Sequence, residues 1–422
     1  MRYKTMKIAV IGGGPAGMCA AGKAASMGAE VTLFEKNKLL GMKLGITGKG
    51  RCNVTNNCTP DDFIKNMTKN GKFMFSAINS FSSADTMELF EELGVPLKTE
   101  RGNRVFPVSD KARDIVLALK KYVLDNGAKI VNEKVTSLVP AKTEERRIAE
   151  VVTEKGKYAF DAVIVCTGGL SYPTTGSDGD GLRFAESLGH KITPPAPSLI
   201  GLTSADKCCA EMQGLALKNV AVSVTDTAKN KKIYEDFGEM LFTHFGVSGP
   251  TILSASAHMR PMEKDRYTVN IDLKPALDEE KLDKRILSDF EKYKNKELAN
   301  ALCDLLPSSI IKPVIARAGI PETKKANSIT QKERRALLET LKNFSVKISG
   351  TRPIAEAIVT SGGVAVSEIS PATMCSKKWE NLYFAGEVID VDAYTGGFNL
   401  QIAYSTAMKA AESAVYKLWE EM

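Results

Sequence analysis

The chain has 422 residues, 43% hydrophobic and 25% charged, with a formal net charge of +7; it is too long for one ordinary core and ordinary in composition for a globular protein of two or three domains. No apolar run reaches the ~18–20 residues needed to cross a bilayer. The opening MRYKTMKIAVIGGGPAG runs into glycines without a small-residue cleavage site, so no secretory leader is expected and a cytoplasmic location is.

In chain order, KIAVIGGG (7–14) is a β-rich apolar run of the kind buried on both faces of a parallel sheet. PAGMCAAGKAASMG follows with small residues at helical spacing and Gly28 as its stop, and AEVTLFE (29–35) is a second buried strand ending in an acid. That is a βαβ unit. A polar loop, GITGKGRCNVTNNC (45–58), lies shortly downstream. DKARDIVLALKKYVLDNG (110–127) predicts a helix, and AKIVNEKVTSLVP, IAEVVTEKGKYAF and DAVIVCTGG predict short strands. DGLRFAESLGH (180–190) predicts a helix closing this part. The prolines of KITPPAPSLIGL break the rhythm and suggest a domain boundary. Beyond it, period-2 segments (NVAVSVTD, EMLFTHF, YTVNIDL) predict an antiparallel sheet or small barrel. Residues 278–341 read as charged helices, NFSVKISG and AIVTSGGVAV as strands, NLYFAGE (381–387) as another buried strand, and 399–420 as a closing helix. The expected fold is therefore α/β: a split Rossmann-like domain (1–193 and 361–422), a β-barrel-like insertion (194–275, with return strands 343–360) and a small helical domain (276–342). So large an insertion exceeds an ordinary loop.

The eight cysteines include no CxxC pair and there are three histidines, so neither a zinc site nor any other metal centre is expected. Lysines between Lys281 and Lys332 alternate with acids, as on solvated helical faces, and basic residues do not cluster with aromatics. A small-molecule substrate is expected, not nucleic acid or a membrane.

Gly12-x-Gly14-x-x-Gly17 sits at the first strand-to-helix turn, with Glu35 ending the next strand. Gly12 permits the tight turn, Gly14 lets backbone approach a pyrophosphate, and Gly17 lets the helix pack on the sheet. The helix N-terminus offers free N–H groups to phosphate, and Glu35 would accept from ribose hydroxyls. FAD is favoured over NAD by the rest of the chain. A strand leads directly to Gly168-Gly169, and another delivers Gly386-Glu387. Gly396-Gly397 then precede a helix starting near Asn399, whose N-terminus would face the pyrimidine edge of an isoalloxazine.

Four long segments carry a specific resemblance: KLGITGKGRCNVTN (43–56), GGLSYPTTGSDGDG (168–181), GEMLFTHFGVSGPTIL (238–253) and AGEVIDVDAYTGGFNLQ (385–401). The chain resembles the BaiN-like, aminoacetone-oxidase-like flavoproteins of the glutathione-reductase-type FAD superfamily. The resemblance implies the same three-part architecture. By position it implies FAD contacts from Gly12 to Gly17 (Pro15 and Ala16 included), and from Glu35, Lys36, Lys43, Thr47, Arg51, Asn53, Val135, Gly168, Glu387, Asp390, Asn399 and Leu400. Cys52, Gly386 and Gly397 belong to the same expected cofactor surroundings. It also implies either oxidation of a small amino-ketone or reduction of a conjugated C=C in a 3-oxo-bile-acid-like enone. The second reaction needs a donor to the carbonyl oxygen and an apolar slot. The candidates are His244 as proton donor or carbonyl polariser, Tyr172 as a second donor and Tyr394 as a cover for the ring face. Each has a plain alternative: His244 could satisfy a backbone group, and the tyrosines could pack.

Cys52 and Cys58 raise a rival class, the pyridine-nucleotide disulfide reductases. Their spacing here is i, i+6 rather than i, i+5, no second GxGxxG follows mid-chain, and no histidine lies beyond His258. Without a second nucleotide motif, NAD(P)H would visit the flavin transiently as electron donor. A flavin-binding or RNA-modification-related module is the remaining alternative.

Overall fold

The computed structural model describes residues 6–142 and 146–422, so the first five residues of the opening stretch lie outside it. β1 (Lys7–Ile11), α1 (Pro15–Ser26) and β2 (Glu30–Phe34) come first, then α2 (Met42–Ile46), α3 (Ala112–Asp125), β3 (Lys129–Val131), β4 (Ala162–Val165), α4 (Asp180–Ser187) and β5 (Ile192–Ser198). The insertion carries β6 (Leu202–Thr203), α5 (Lys207–Glu211), β7 (Ala216–Asp226), β8 (Lys231–Thr243), β9 (Gly246–Ser248) and β10 (Tyr267–Asp272). It continues through α6 (Glu279–Lys292), α7 (Ser308–Arg317), α8 (Gln331–Lys342), β11 (Phe344–Ile348) and β12 (Gly350–Thr351). β13 (Val359–Val364), β14 (Leu382–Phe384) and α9 (Phe398–Glu420) end the chain. The chain divides into two units, Met1–Ser198 with Ile354–Met422, and Leu199–Pro353.

In the first unit β14-β4-β1-β2-β3 form a parallel sheet, with Ile8 registered against Val31 on one side and Ala162 on the other. Ile8, Val10, Leu33, Ile164 and Phe384 are fully buried, which is why these strands are continuous apolar runs rather than alternating ones. The alanine- and glycine-rich α1 packs against both α3 and α9, its small side chains allowing close approach.

The proline segment does more than divide the units. Within KITPPAPSLIGL, Ile192–Ser198 forms a strand antiparallel to β13, and the second unit begins at Leu199. Proline cannot donate to a ladder, but an edge strand and a bulge tolerate it. The register shifts between Thr193 and Ala196, leaving Pro194 and Pro195 opposite Gly362 alone. The return to the first unit, at Ile354, likewise precedes the expected position.

The second unit is an antiparallel sheet in the order β11-β10-β7-β8-β9-β6-β12. Its two outermost strands, β11 and β12, are separated in the chain only by Ser349, so the sheet must curl until its edges meet, as in a barrel. Leu282, Ile286, Val314 and Leu338 from the helices share one core with Val222, Val269, Ile271 and Val346 from the sheet.

Candidate cofactor site

The β1–α1 turn is shaped by what its glycines approach. Gly12 has φ +103°, and a Cβ there would lie 2.6 Å from the Cys166 carbonyl oxygen at the end of β4. A Cβ on Gly17 would lie 1.7 Å from the Gly12 carbonyl oxygen, so α1 can sit this close to its own strand only with glycine there. Gly14 is the N-cap of α1, Pro15 follows at the first helical position and no side chain caps the helix. The first-turn N–H groups therefore face the cavity beside them, a suitable seat for phosphate. The Glu35 carboxylate accepts from the backbone N–H of Gly13 (2.7 Å) and Asn37 (2.7 Å), which fixes it at the end of β2 with lone pairs to spare. Next to it, the Lys36 ammonium reaches Asp178 (2.7 Å) and Asp180 (2.6 Å). Burial alone would lower the Lys36 pKa, but those two carboxylates hold it above the ordinary lysine value.

At the other end Gly397, with φ +99°, is the N-cap of α9, and again no side chain caps the helix. The Asn399 side chain accepts from Ala393 N–H (3.0 Å) and donates to the Ala393 carbonyl (2.8 Å). It therefore shapes the loop before α9 and leaves the helix N-terminus open. Between the two ends, Lys43 donates to Ser171 Oγ (2.5 Å) and Glu387 Oε2 (2.7 Å), while Ser171 Oγ and Thr360 N–H both donate to Glu387 Oε1 (3.0 and 2.7 Å).

These residues line one cavity within the first unit. Gly12, Gly14, Pro15 and Ala16 form one wall; Glu35, Lys36 and Val135 another; and Lys43, Thr47, Asn53, Gly168, Gly386, Glu387, Gly397, Asn399 and Leu400 the remainder. Two buried polar atoms at this cavity, Asn53 Oδ1 and Thr167 Oγ1, have no hydrogen-bond partner in the protein. A buried unpaired polar atom is costly unless a ligand satisfies it. Two uncapped helix N-termini, a fixed carboxylate and orphaned polar atoms along one elongated cavity fit FAD. The pyrophosphate would lie at α1, the adenosine ribose at Glu35 and the flavin pyrimidine edge at α9.

The other expected residues lie elsewhere. Gly17 serves helix packing, as above. Arg51 does not line the cavity: its guanidinium pairs with Glu100 and Asp110 and stacks on the Phe106 ring at 4.1 Å. The structure therefore turns the guanidinium toward these acids and Phe106, and the expected FAD contact from Arg51 is not part of the lining. Asp390 is also outside the lining, buried in an ion pair with Lys69 at 2.7 Å. Cys52 is fully buried at φ +60°, and burial pushes its thiol up to about 12, with a hydrogen bond to Thr47 opposing. It is a packing residue in the loop, and all eight cysteines are free thiols. Tyr172 and Tyr394 are half-buried and do not line the cavity, although Thr395 and Gly396 beside Tyr394 do. His244 is exposed in the β8–β9 turn of the second unit, its ring edge-on to Phe245 at 5.1 Å.

Sequence reasoning missed Thr167, which lines the cavity, and Ser171 and Thr360, which hold Glu387. Thr167 lies between the end of β4 and Gly168, separated from the strand only by Cys166, so the strand-then-glycine pattern could have found it. Ser171 and Thr360 come from distant segments joined only by folding.

The fold and this site define an FAD-dependent oxidoreductase. More particularly, the chain belongs to the HI0933-like family, whose Rossmann domain matches residues 6–413. It is similar to a ribosomal RNA dihydrouridine synthase of Haemophilus influenzae, 31% identical over 408 residues, covering 96% of this chain and 97% of that one. It is also similar to a 3-dehydro-bile acid delta(4,6)-reductase of Clostridium scindens, 27% identical over 97% of this chain and 98% of the relative. Among solved structures, 3-ketosteroid delta1-dehydrogenase from Sterolibacterium denitrificans shares the fold, with TM-score 0.53 and 11% identity over 98% of this chain and 100% of that one. Among the described residues, no helix is long and apolar enough to cross a membrane and no metal-binding cluster occurs.

Proposed function

We propose that the protein reduces a C=C bond conjugated to a carbonyl, with NAD(P)H as electron donor. The observation that carries the reading is the cavity bordered by two uncapped helix N-termini, which suits FAD with the pyrimidine edge of its flavin toward α9. Bound FAD would supply hydride to the far carbon of the enone, and a protein or solvent acid the proton next to the carbonyl. The balance is NAD(P)H plus H⁺ plus C=C, giving NAD(P)⁺ plus CH–CH. The chain's own part is to hold and orient. The α1 amides seat the pyrophosphate, Glu35 takes the ribose hydroxyls, and the α9 N-terminus favours the electron-rich form of the ring.

Two relatives support this reaction class, because both of their named activities concern the same reactive unit. Making dihydrouridine saturates a ring C=C conjugated to a carbonyl, and a delta(4,6)-reductase acts on unsaturation conjugated to a 3-oxo group. The substrate is either a uridine in RNA or a steroid-like small molecule. Tyr394, one residue from the lining, is the first proton donor to test, followed by Tyr172 and His244.

The test is anaerobic reduction of the purified yellow protein by NADH or NADPH, followed by reoxidation with ribosomal RNA, a 3-oxo-4,6-diene steroid acid, or neither. Reoxidation by either acceptor, with the saturated product found by mass spectrometry, is expected. A flavin reduced by an amino-ketone and reoxidised only by dioxygen, with peroxide released, would instead establish an oxidase.

A further inference from the structure

The second unit holds a cluster that the cofactor site does not use. Cys208 and Cys209 are adjacent in α5, and Cys208 is half-buried while Cys209 is buried. The Arg317 guanidinium, at the end of α7, lies 3.4 Å from the Cys208 sulfur. That guanidinium is fixed from three other sides. It pairs with Asp206 at 3.2 Å, donates to the Ser345 carbonyl, and stacks on Phe344 at 4.3 Å. Asp206, the one carboxylate facing the sulfur, is itself engaged by Arg317 and by the Lys347 backbone N–H at 3.2 Å. A preorganised cation against a partly accessible sulfur is the surrounding that makes a thiol reactive.

The other cysteines lack it. Cys19, Cys52, Cys166 and Cys209 are buried, and burial raises Cys58 and Cys375. Exposed Cys303 faces the Asp304 carboxylate at 3.8 Å rather than a cation. The neighbouring Cys209 thiol and, against the opposing effect of burial, the Arg317 guanidinium hold the Cys208 thiol below the ordinary cysteine value.

We propose that Cys208 is a site of reversible oxidation, a thiolate held by Arg317 that hydrogen peroxide converts to the sulfenic acid. The sulfur attacks one peroxide oxygen, an S–O bond forms as the O–O bond breaks, and the departing hydroxide takes a proton to become water. Sulfur loses two electrons and peroxide gains them. A small thiol reverses the change through a mixed disulfide, which a second thiol then reduces. Reduced flavin that meets dioxygen releases peroxide, so the oxidant is one that this class of enzyme can generate itself.

The experiment treats the intact flavoprotein with one equivalent of hydrogen peroxide at about pH 6.5, traps sulfenic acid with dimedone and maps the adducts by mass spectrometry. The expected result is labelling of Cys208 about tenfold above Cys303. The iodoacetamide alkylation rate of Cys208 in the unmodified chain should have its midpoint below the ordinary thiol value. Arg317→Met should raise that midpoint, and Arg317→Lys should restore part of the shift, while flavin absorbance shows that the variants remain folded. Equal labelling of Cys208 and Cys303, or a midpoint at the ordinary thiol value in the unmodified chain, would overturn the proposal without any variant having to fold.

Discussion

Cys52 and His190 show how single buried side chains separate structure from chemistry. Cys52 is sealed from solvent beside Thr47, so Cys52→Ser exchanges one weak buried hydrogen-bonding group for a stronger one. The variant should keep its FAD and its turnover and lose about 1 kcal/mol in urea unfolding; loss of turnover with FAD still bound would show that the sulfur acts. Arg51→Ala breaks the pairs to Glu100 and Asp110 rather than a phosphate contact, so it should lower melting temperature more than FAD affinity. His190 Nδ1 faces the Ala185 carbonyl at 3.0 Å, and Nε2 lies 2.7 Å from Ser376 Oγ. A carbonyl only accepts, so Nδ1 carries the proton and Nε2 accepts from the serine. Burial lowers the His190 pKa below the ordinary histidine value of about 6.5, with the Ala185 bond opposing. The sign follows: the unfolded histidine protonates first as pH falls, so this contribution is whole above 6.5 and is lost on acidification below it. Melting temperature should drop between about pH 7 and pH 5, and His190→Gln should flatten that slope.

At the scale of elements, the helix N-termini matter most. Gly397 is at φ +99° and a Cβ there would meet the Thr55 carbonyl at 2.3 Å. Gly397→Ala must therefore shift the start of α9 away from the segment around Thr55, and FAD affinity should fall by about tenfold or more, read by equilibrium dialysis of the flavin. By contrast α8 has a capping box, Thr330 accepting from Glu333 N–H while the Glu333 carboxylate accepts from Thr330 N–H. Thr330→Ala should cost about 1 kcal/mol of stability in urea unfolding and leave FAD affinity unchanged. The contrast is physical: α8 satisfies its own first turn, whereas α1 and α9 leave theirs for a ligand. The βαβ unit and the closing helix were legible in sequence because strand, glycine turn and helix are consecutive there. β5 was not, because proline predicts a break wherever it stands, and only its partner Gly362 makes the bulge that accommodates it.

For the molecule as a whole, the glycine turn and Glu35 were readable locally, but the Lys43–Ser171–Thr360–Glu387 network joins four separated segments and no spacing rule reaches across them. Arg51 shows the opposite failure. An arginine in a polar loop beside a nucleotide motif reads as a cofactor contact, and only the folded chain shows that Glu100 and Asp110, from another part of the sequence, pair with it. The same whole-molecule view bears on kinetics. Among the described residues one strand–glycine–helix turn of the dinucleotide kind occurs, at β1–α1, and its N–H groups and Glu35 are committed to FAD in the reading above. If the proposed reaction draws on NAD(P)H, that donor has no such turn left to it and would approach the flavin from the side the substrate also needs. The two should bind in turn, NAD(P)⁺ leaving before the enone enters. Initial rates at varied NAD(P)H and several fixed enone concentrations should give parallel double-reciprocal lines, and the enone should inhibit competitively against NAD(P)H at high concentration. Intersecting lines would require both ligands to be bound together, and hence a second nucleotide seat on this chain.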